Sequence, residues 1–209
     1  MSTASSFNGS PFEWGVASRA LAGQSLCGDL HVVIGSPGRM LAAVVDGLGH
    51  GNEATAAAKA AIDVLRAHAG DSVIGLVRRC HEALKTTRGA VLTVVSFDIR
   101  EQTVTALGVG NVESILLRAD PEIDPRYESV LLRSGLVGDQ LPAMHASVFP
   151  LHAGDVMIFT TDGIRNDYAG QLTVSDTMPA LAERILREYY RGNDDALVLA
   201  VRYKGARDG

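Results

Sequence analysis

Two segments of the chain run an apolar stretch directly into Asp-Gly: Met40-Leu-Ala-Ala-Val-Val-Asp46-Gly47 and Val156-Met-Ile-Phe-Thr-Thr-Asp162-Gly163. Each puts a carboxylate at a strand tip, followed by a glycine that lets the backbone turn sharply or approach a ligand closely. A single Asp-Gly is an ordinary turn, because both residues are favoured there. Two further carboxylates stand in comparable settings, Asp29 after Gly28 and the Asp194-Asp195 pair just ahead of the apolar run that starts at Ala196. Aspartates gathered in one place repel one another, and a site that collects them needs a cation. Hard oxygen ligands suit Mg²⁺ or Mn²⁺ rather than zinc, and no His-x-x-x-His or Cys-x-x-Cys spacing competes. Two such ions side by side could activate a bridging water and neutralise the oxygens of a phosphoryl group.

These carboxylates need rigid strands behind them. Phe12 to Ala17, His31 to Ile34 and Met40 to Val45 are short β-forming runs punctuated by Gly23, Gly28, Gly35 and Gly38, and Ser36-Pro37-Gly38 is a hairpin turn. From Asn52 the period changes. Ala54, Ala57, Ala58, Ala61, Ile62 and Leu65 mark a helix whose small residues suit close packing on a sheet, and Val73, Leu76, Val77, Cys80 and Leu84 mark a second. β character returns in Val91 to Ile99, Val104 to Val109, Ser114 to Leu117, Val130 to Leu132 and Val156 to Thr160. Prolines at 121 and 125 make Asp120 to Arg126 a loop. Met178, Leu181, Ala182, Ile185, Leu186 and Tyr189 stripe a third helix, and Ala196 to Tyr203 is the last strand. This order lacks the regular strand and helix alternation of a doubly wound parallel fold; mostly antiparallel sheets covered by helices fit it better.

The 209 residues, 46% of them hydrophobic, can bury one substantial core. A net charge of −5 without a basic cluster excludes a nucleic-acid-binding face, and 5% aromatic content leaves no stacking platform for bases. Cys27 and Cys80 are too few for a disulfide framework and read as packed thiols. No apolar run reaches the length of a membrane span, and the N-terminus has no signal-peptide pattern, so the expectation is a cytoplasmic protein with no membrane contact. Residues 1–11 are expected to form a flexible lead-in and 12–205 a single domain, and with no coiled-coil pattern the expected state is a monomer.

Taken in order, Gly28-Asp29, Asp46-Gly47-Leu48-Gly49-His50-Gly51 before an Ala-rich helix, Gly154-Asp155, Thr161-Asp162-Gly163-Ile164 and Asp194-Asp195-Ala196 resemble the motifs of the PPM (type 2C) metal-dependent serine/threonine phosphatases. The resemblance covers about residues 12 to 203 and is nearest to the short bacterial branch, among its RsbX-like members. It implies an α/β sandwich, two mostly antiparallel sheets face to face with helices outside, and a pair of Mn²⁺ or Mg²⁺ ions at one edge. It implies that Asp46 bridges both ions with the Gly47 carbonyl as a further ligand, that Asp162 and Asp194 hold one ion, and that Asp29 binds directly or through water. Asp194 is preferred to Asp195 because the family places its ligand first in the pair. The implied reaction is in-line attack on phosphorus by a metal-bridged hydroxide, and the implied partners are phosphorylated STAS-domain (RsbR/RsbS-like) proteins of the stressosome.

The chain departs from better-known members at two points. Leu48 stands where they carry a histidine, and no arginine precedes Asp29 near Ser25. His50 is a substitute or a structural residue, Arg19 and Arg165 are the candidate phosphate grips, and Glu113 is a candidate for a third metal or a plain turn carboxylate. Two other functions stay open: a phosphatase of anti-sigma-factor antagonists in the RsbU/SpoIIE-like manner, whose representatives usually carry an added regulatory domain, and a catalytically silent module that binds phosphoproteins.

Overall fold

A computed structural model describes residues 2–5, 10–49, 51–172 and 175–205. The hairpin expected at Ser36-Pro37-Gly38 joins β3 (Asp29–Ser36) to β4 (Arg39–Gly47), with Ser36 paired to Arg39 and Gly38 at φ 74°. Pro37 fixes the first corner of that turn and Gly38 takes the left-handed second corner that only glycine adopts without strain. Past β4 the helical stripes hold their places. In α1 (Gly51–Ala67), Ala54, Ala57, Ala58, Ala61, Ile62 and Leu65 are buried, and in α2 (Val73–Leu84) the buried residues are Val73, Leu76, Val77, Cys80 and Leu84. Ser72 caps α2 by accepting a hydrogen bond from the Gly75 N–H at 3.2 Å.

The remaining elements are β1 (Ser2–Ser5), β2 (Phe12–Arg19), β5 (Ala90–Asp98), β6 (Thr103–Val109), β7 (Glu113–Leu117), β8 (Tyr127–Ser129), β9 (Leu132–Arg133), β10 (Ser147–Pro150), β11 (Val156–Thr160), a 3-10 turn over Asn166–Gln171, α3 (Met178–Tyr189) and β12 (Ala196–Tyr203). One sheet has the order β1-β2-β12-β11-β7-β8, and the other β10-β6-β5-β4-β3, with β9 added to β6 as the parallel pair. The two sheets pack face to face over Phe12, Val16, Ala42, Val44, Phe97, Phe159 and Leu199. α1 and α2 cover the outer face of the second sheet, and α3 covers the first. A fully buried Leu or Val in these layers contributes about 1.5–3 kcal/mol. The result is the expected α-β-β-α sandwich.

Two local expectations are corrected, and one strand, β10, falls where none was expected. Val130 to Leu132 does not form one strand: Tyr127–Ser129 pairs with β7 in one sheet, Leu132–Arg133 pairs with β6 in the other, and the chain crosses between them. Val130 turns into the inter-sheet core while Leu131 is 50% exposed, the mark of a segment changing sheets. Ser2–Ser5, placed by composition in a loose lead-in, pairs antiparallel with β2 from Ser2 opposite Ala17 to Ser5 opposite Trp14. The edge of β2 offers backbone donors and acceptors that β12 does not use, and pairing there needs no side-chain signal. β10 ends on Pro150, which argues against a strand, but its edge position tolerates the missing N–H.

Candidate metal centre

The register of β3 and β4 sets Asp29 directly opposite Asp46 at one end of the second sheet. In the first sheet, Asp162 follows β11 and Asp194 precedes β12, and because these strands are antiparallel neighbours, both carboxylates arrive at the same end of the sandwich. The two Asp-Gly glycines are required by backbone packing. A Cβ on Gly47 would lie 2.0 Å from the Ala54 carbonyl oxygen of α1, and one on Gly163 would lie 2.0 Å from the Asp195 carbonyl oxygen. Both strand tips are thereby pressed against a neighbouring main chain, which fixes where Asp46 and Asp162 point.

Between the sheets lies an open cavity of about 450 Å³ walled by Asp46, Asp162, Asp194, Asn111, Leu48 and Gly49 among others. Among the described residues, no lysine or arginine contributes to its wall. Asp29 sits behind this wall, 4% exposed, beside Asp46 on the neighbouring strand. The Thr161 hydroxyl, from the opposite sheet, donates to Asp29 Oδ2 at 2.7 Å while accepting the Leu197 N–H at 2.9 Å. Asn111 Nδ2 donates to Asp162 Oδ2 at 2.8 Å. Burial first, then the neighbouring carboxylates, push Asp46 up to about 9. The same causes raise Asp29 to about 7 against the opposing Thr161 bond, and burial with the Asp194 charge raises Asp162. The cluster resists carrying its full negative charge without a cation, which is the chemistry of a divalent-metal site.

Among the described residues, no three acidic, imidazole or thiol side chains converge on one point. Asp46, Asp162 and Asp194 line one cavity, and carboxylates are donors suited to hard ions that keep part of their water, as Mg²⁺ and Mn²⁺ do. The residues therefore fit hard divalent cations.

Asp194 and Asp195, adjacent in sequence, have separate surroundings. Asp194 lines the cavity. Asp195 is 3% exposed, and its carboxylate accepts the Leu21 N–H at 2.7 Å and the Gly28 N–H at 2.6 Å. It fastens the loop that leads to Asp29, a role the sequence offers no sign of.

Of the other candidates, Arg19 lies over the Tyr190 ring at 5.0 Å and Arg165 over the Tyr189 ring at 5.4 Å. Neither lines the cavity. Glu113 accepts from Asn166 Nδ2 at 3.5 Å and faces a neighbouring hollow. His50 lies outside the described residues. Leu48, 46% exposed, forms part of the cavity wall, and its N–H is held by the Gly89 carbonyl at 3.1 Å. Thr161 and Asn111 went unread in the sequence. The signals present there were Thr161 standing one residue before Asp162, and Gly110-Asn111, with Gly110 at φ 95°, at the turn after β6.

Residues 36–204 match the sequence family described as stage II sporulation protein E (SpoIIE). The chain is 33% identical over 94 residues to the phosphoserine phosphatase RsbX of Bacillus subtilis (strain 168), a match covering 45% of this chain and 47% of RsbX. That match spans about half the length of this relative. Among solved structures, a chain from work on the bacterial stressosome, described as a modular system adapted to control secondary messenger signalling, superposes with a TM-score of 0.83 at 29% identity. That superposition covers 91% of this chain and 99% of the other. The crystal structure of RsbX in complex with magnesium gives a TM-score of 0.84 at 24% identity, over 97% of this chain and 99% of that one, and shows the shared fold.

Proposed function

The chain belongs to the stage II sporulation protein E (SpoIIE) family, within the PPM (type 2C) group, and from that premise we propose that it is a metal-dependent protein serine/threonine phosphatase acting on phosphorylated STAS-domain proteins of a stressosome. The observation that carries the reading is the cavity in which Asp46 of one sheet faces Asp162 and Asp194 of the other, with no side-chain cation in its wall among the described residues.

Asp46, with the Gly47 carbonyl, would hold both ions, Asp162 and Asp194 would hold one, and Asp29 would act directly or through water. When bound, the ions supply water activation and charge neutralisation for the phosphoryl oxygens. The protein's own part is positioning. Thr161 locks Asp29 across the sandwich, Asn111 orients Asp162, and the close backbone contacts at Gly47 and Gly163 hold both strand tips still. The cavity is open to solvent, so a phosphorylated side chain on a folded partner can reach it. The substrate class is supported by the likeness to RsbX, named a phosphoserine phosphatase, and by the fold shared with a stressosome structure. This reading takes the chain to act as a cytoplasmic monomer.

The second reading that the sequence resemblance leaves open, the RsbU/SpoIIE-like one, takes a phosphorylated anti-sigma-factor antagonist, also a STAS protein, as substrate. Phosphate release should be measured in Mn²⁺ from a phosphorylated stressosome STAS domain and from a phosphorylated free-standing antagonist. Higher kcat/KM on the first supports the stressosome reading; preference for the antagonist overturns it in favour of the second. Release from neither, with Mn²⁺ bound, would leave only a binding role.

A further inference from the structure

A phosphoryl dianion entering a cavity walled by Asp46, Asp162 and Asp194 needs donors for its outer oxygens as well as cations at the carboxylates. Arg19 and Arg165, which sequence reasoning offers for this task, are engaged on tyrosine rings, and Arg165 also donates to the Glu188 carbonyl at 3.1 Å. The wall's Asn111 amide gives one of its two N–H groups to Asp162.

Arg88 stands in the connection between α2 and β5, beside the cavity at Gly49. A Cβ on Gly49 would lie 3.4 Å from Arg88 Nη1 and 3.6 Å from Cζ. Gly49 is at φ 94°, has no side chain and lines the cavity, so this guanidinium lies against one of the cavity's wall residues. Arg88 Nη1 donates to Glu53 Oε2 at 2.9 Å, and the two side chains are 54% and 72% exposed. An ion pair this exposed contributes almost nothing to stability, so the guanidinium can change partner at little cost. Among the described residues Arg88 has Glu53 as its one hydrogen-bond partner, and the remaining N–H groups of its fork can meet two oxygens of one phosphoryl group, a geometry that lysine cannot reproduce.

We propose that Arg88 is the phosphate-gripping residue of this site, reaching across Gly49 to the phosphoryl oxygens of the bound phosphoserine or phosphothreonine. The assignment rests on the phosphatase reading for its substrate, but its binding chemistry can be measured without turnover. Glu53 holds the guanidinium at the cavity edge until phosphate arrives, and Gly49 keeps the path clear.

The test has two arms. In the first, inorganic phosphate is titrated into the Mn²⁺-loaded full chain by calorimetry, for wild type, Arg88→Ala and Arg88→Lys. Arg88→Ala should weaken phosphate roughly tenfold or more, as loss of charge-assisted contacts does, with Arg88→Lys between it and wild type and Mn²⁺ affinity unchanged in all three. In the second, phosphate release from a phosphoserine protein should show a raised KM for Arg88→Ala with kcat nearly unchanged, the pattern of a contact made equally in ground and transition states. Equal phosphate affinity in wild type and Arg88→Ala, or no phosphate binding by wild type, overturns the proposal. Arg88-dependent phosphate binding in a protein that releases no phosphate from any phosphoserine substrate would overturn the phosphatase reading and leave the grip standing.

Discussion

Replacing each member of the Asp194-Asp195 pair with alanine separates anchoring from metal binding. Asp195 is buried and accepts two backbone N–H groups, from Leu21 and Gly28, at 2.7 and 2.6 Å. Each is a charge-assisted bond worth about 1.5–3 kcal/mol, and their loss leaves buried donors unpaired, so Asp195→Ala should cost about 3–5 kcal/mol. For a chain of this size that lowers Tm by roughly 10 °C. Asp194 has no such load: its carboxylate accepts the neighbouring Asp195 N–H at 2.8 Å and otherwise faces the cavity. Asp194→Ala should leave the metal-free Tm within about 3 °C of wild type, in keeping with an ordinary surface change. It should also abolish most of the rise in Tm that saturating Mn²⁺ gives. Thermal unfolding with chelator and with Mn²⁺ reads both effects. The reasoning fails if Asp195→Ala unfolds at the wild-type temperature without metal, or if Asp194→Ala keeps the full Mn²⁺ response.

Three further outcomes are expected. Thr161→Val strips a hydrogen bond from buried Asp29 and another from the Leu197 N–H, at about 1–3 kcal/mol each, and urea unfolding should show the sum. Gly47→Ala forces a Cβ onto the Ala54 carbonyl and should cost at least about 3 kcal/mol, whereas Gly70→Ala, with nothing within 4 Å, should be near neutral in the same assay. The raised pKa of Asp46, about 9, means that the folded chain binds this proton more tightly than the unfolded chain does. Its contribution is present below the ordinary carboxylate range and is lost as pH rises toward 9. Metal-free wild type should therefore lose stability relative to Asp46→Asn between pH 4 and pH 9, and Mn²⁺ affinity should rise over the same range; a pH-independent difference would contradict this.

The sandwich was legible because its layers follow simple periods. The stripe from Val73 to Leu84 reads the same in sequence and structure, and β11 and β12 fall on the segments their apolar runs mark. What escaped the sequence was long-range or carried by the backbone. β1 and β10 are edge strands held by main-chain pairing, which Ser, Thr and Pro do not advertise. The sheet change after Val130 follows from where the two edges lie in space. At the site, the strand-end aspartates stood out by type and setting. The bond between Thr161 and Asp29 joins positions 132 residues apart, so nothing local could show it. The separate duties of Asp194 and Asp195 depend on which carboxylate meets the loop through Leu21 and Gly28, a contact made only when β12 lies beside β2.

The most direct test of the account is phosphate release from a phosphorylated STAS-domain protein by wild type and Asp46→Asn, in Mn²⁺ and in chelator. The account expects release by wild type in Mn²⁺ alone and a loss of at least about a hundredfold in the variant, the scale on which removing one electrostatic stabiliser lowers turnover. Undiminished release by Asp46→Asn, or release that persists in chelator, would contradict it.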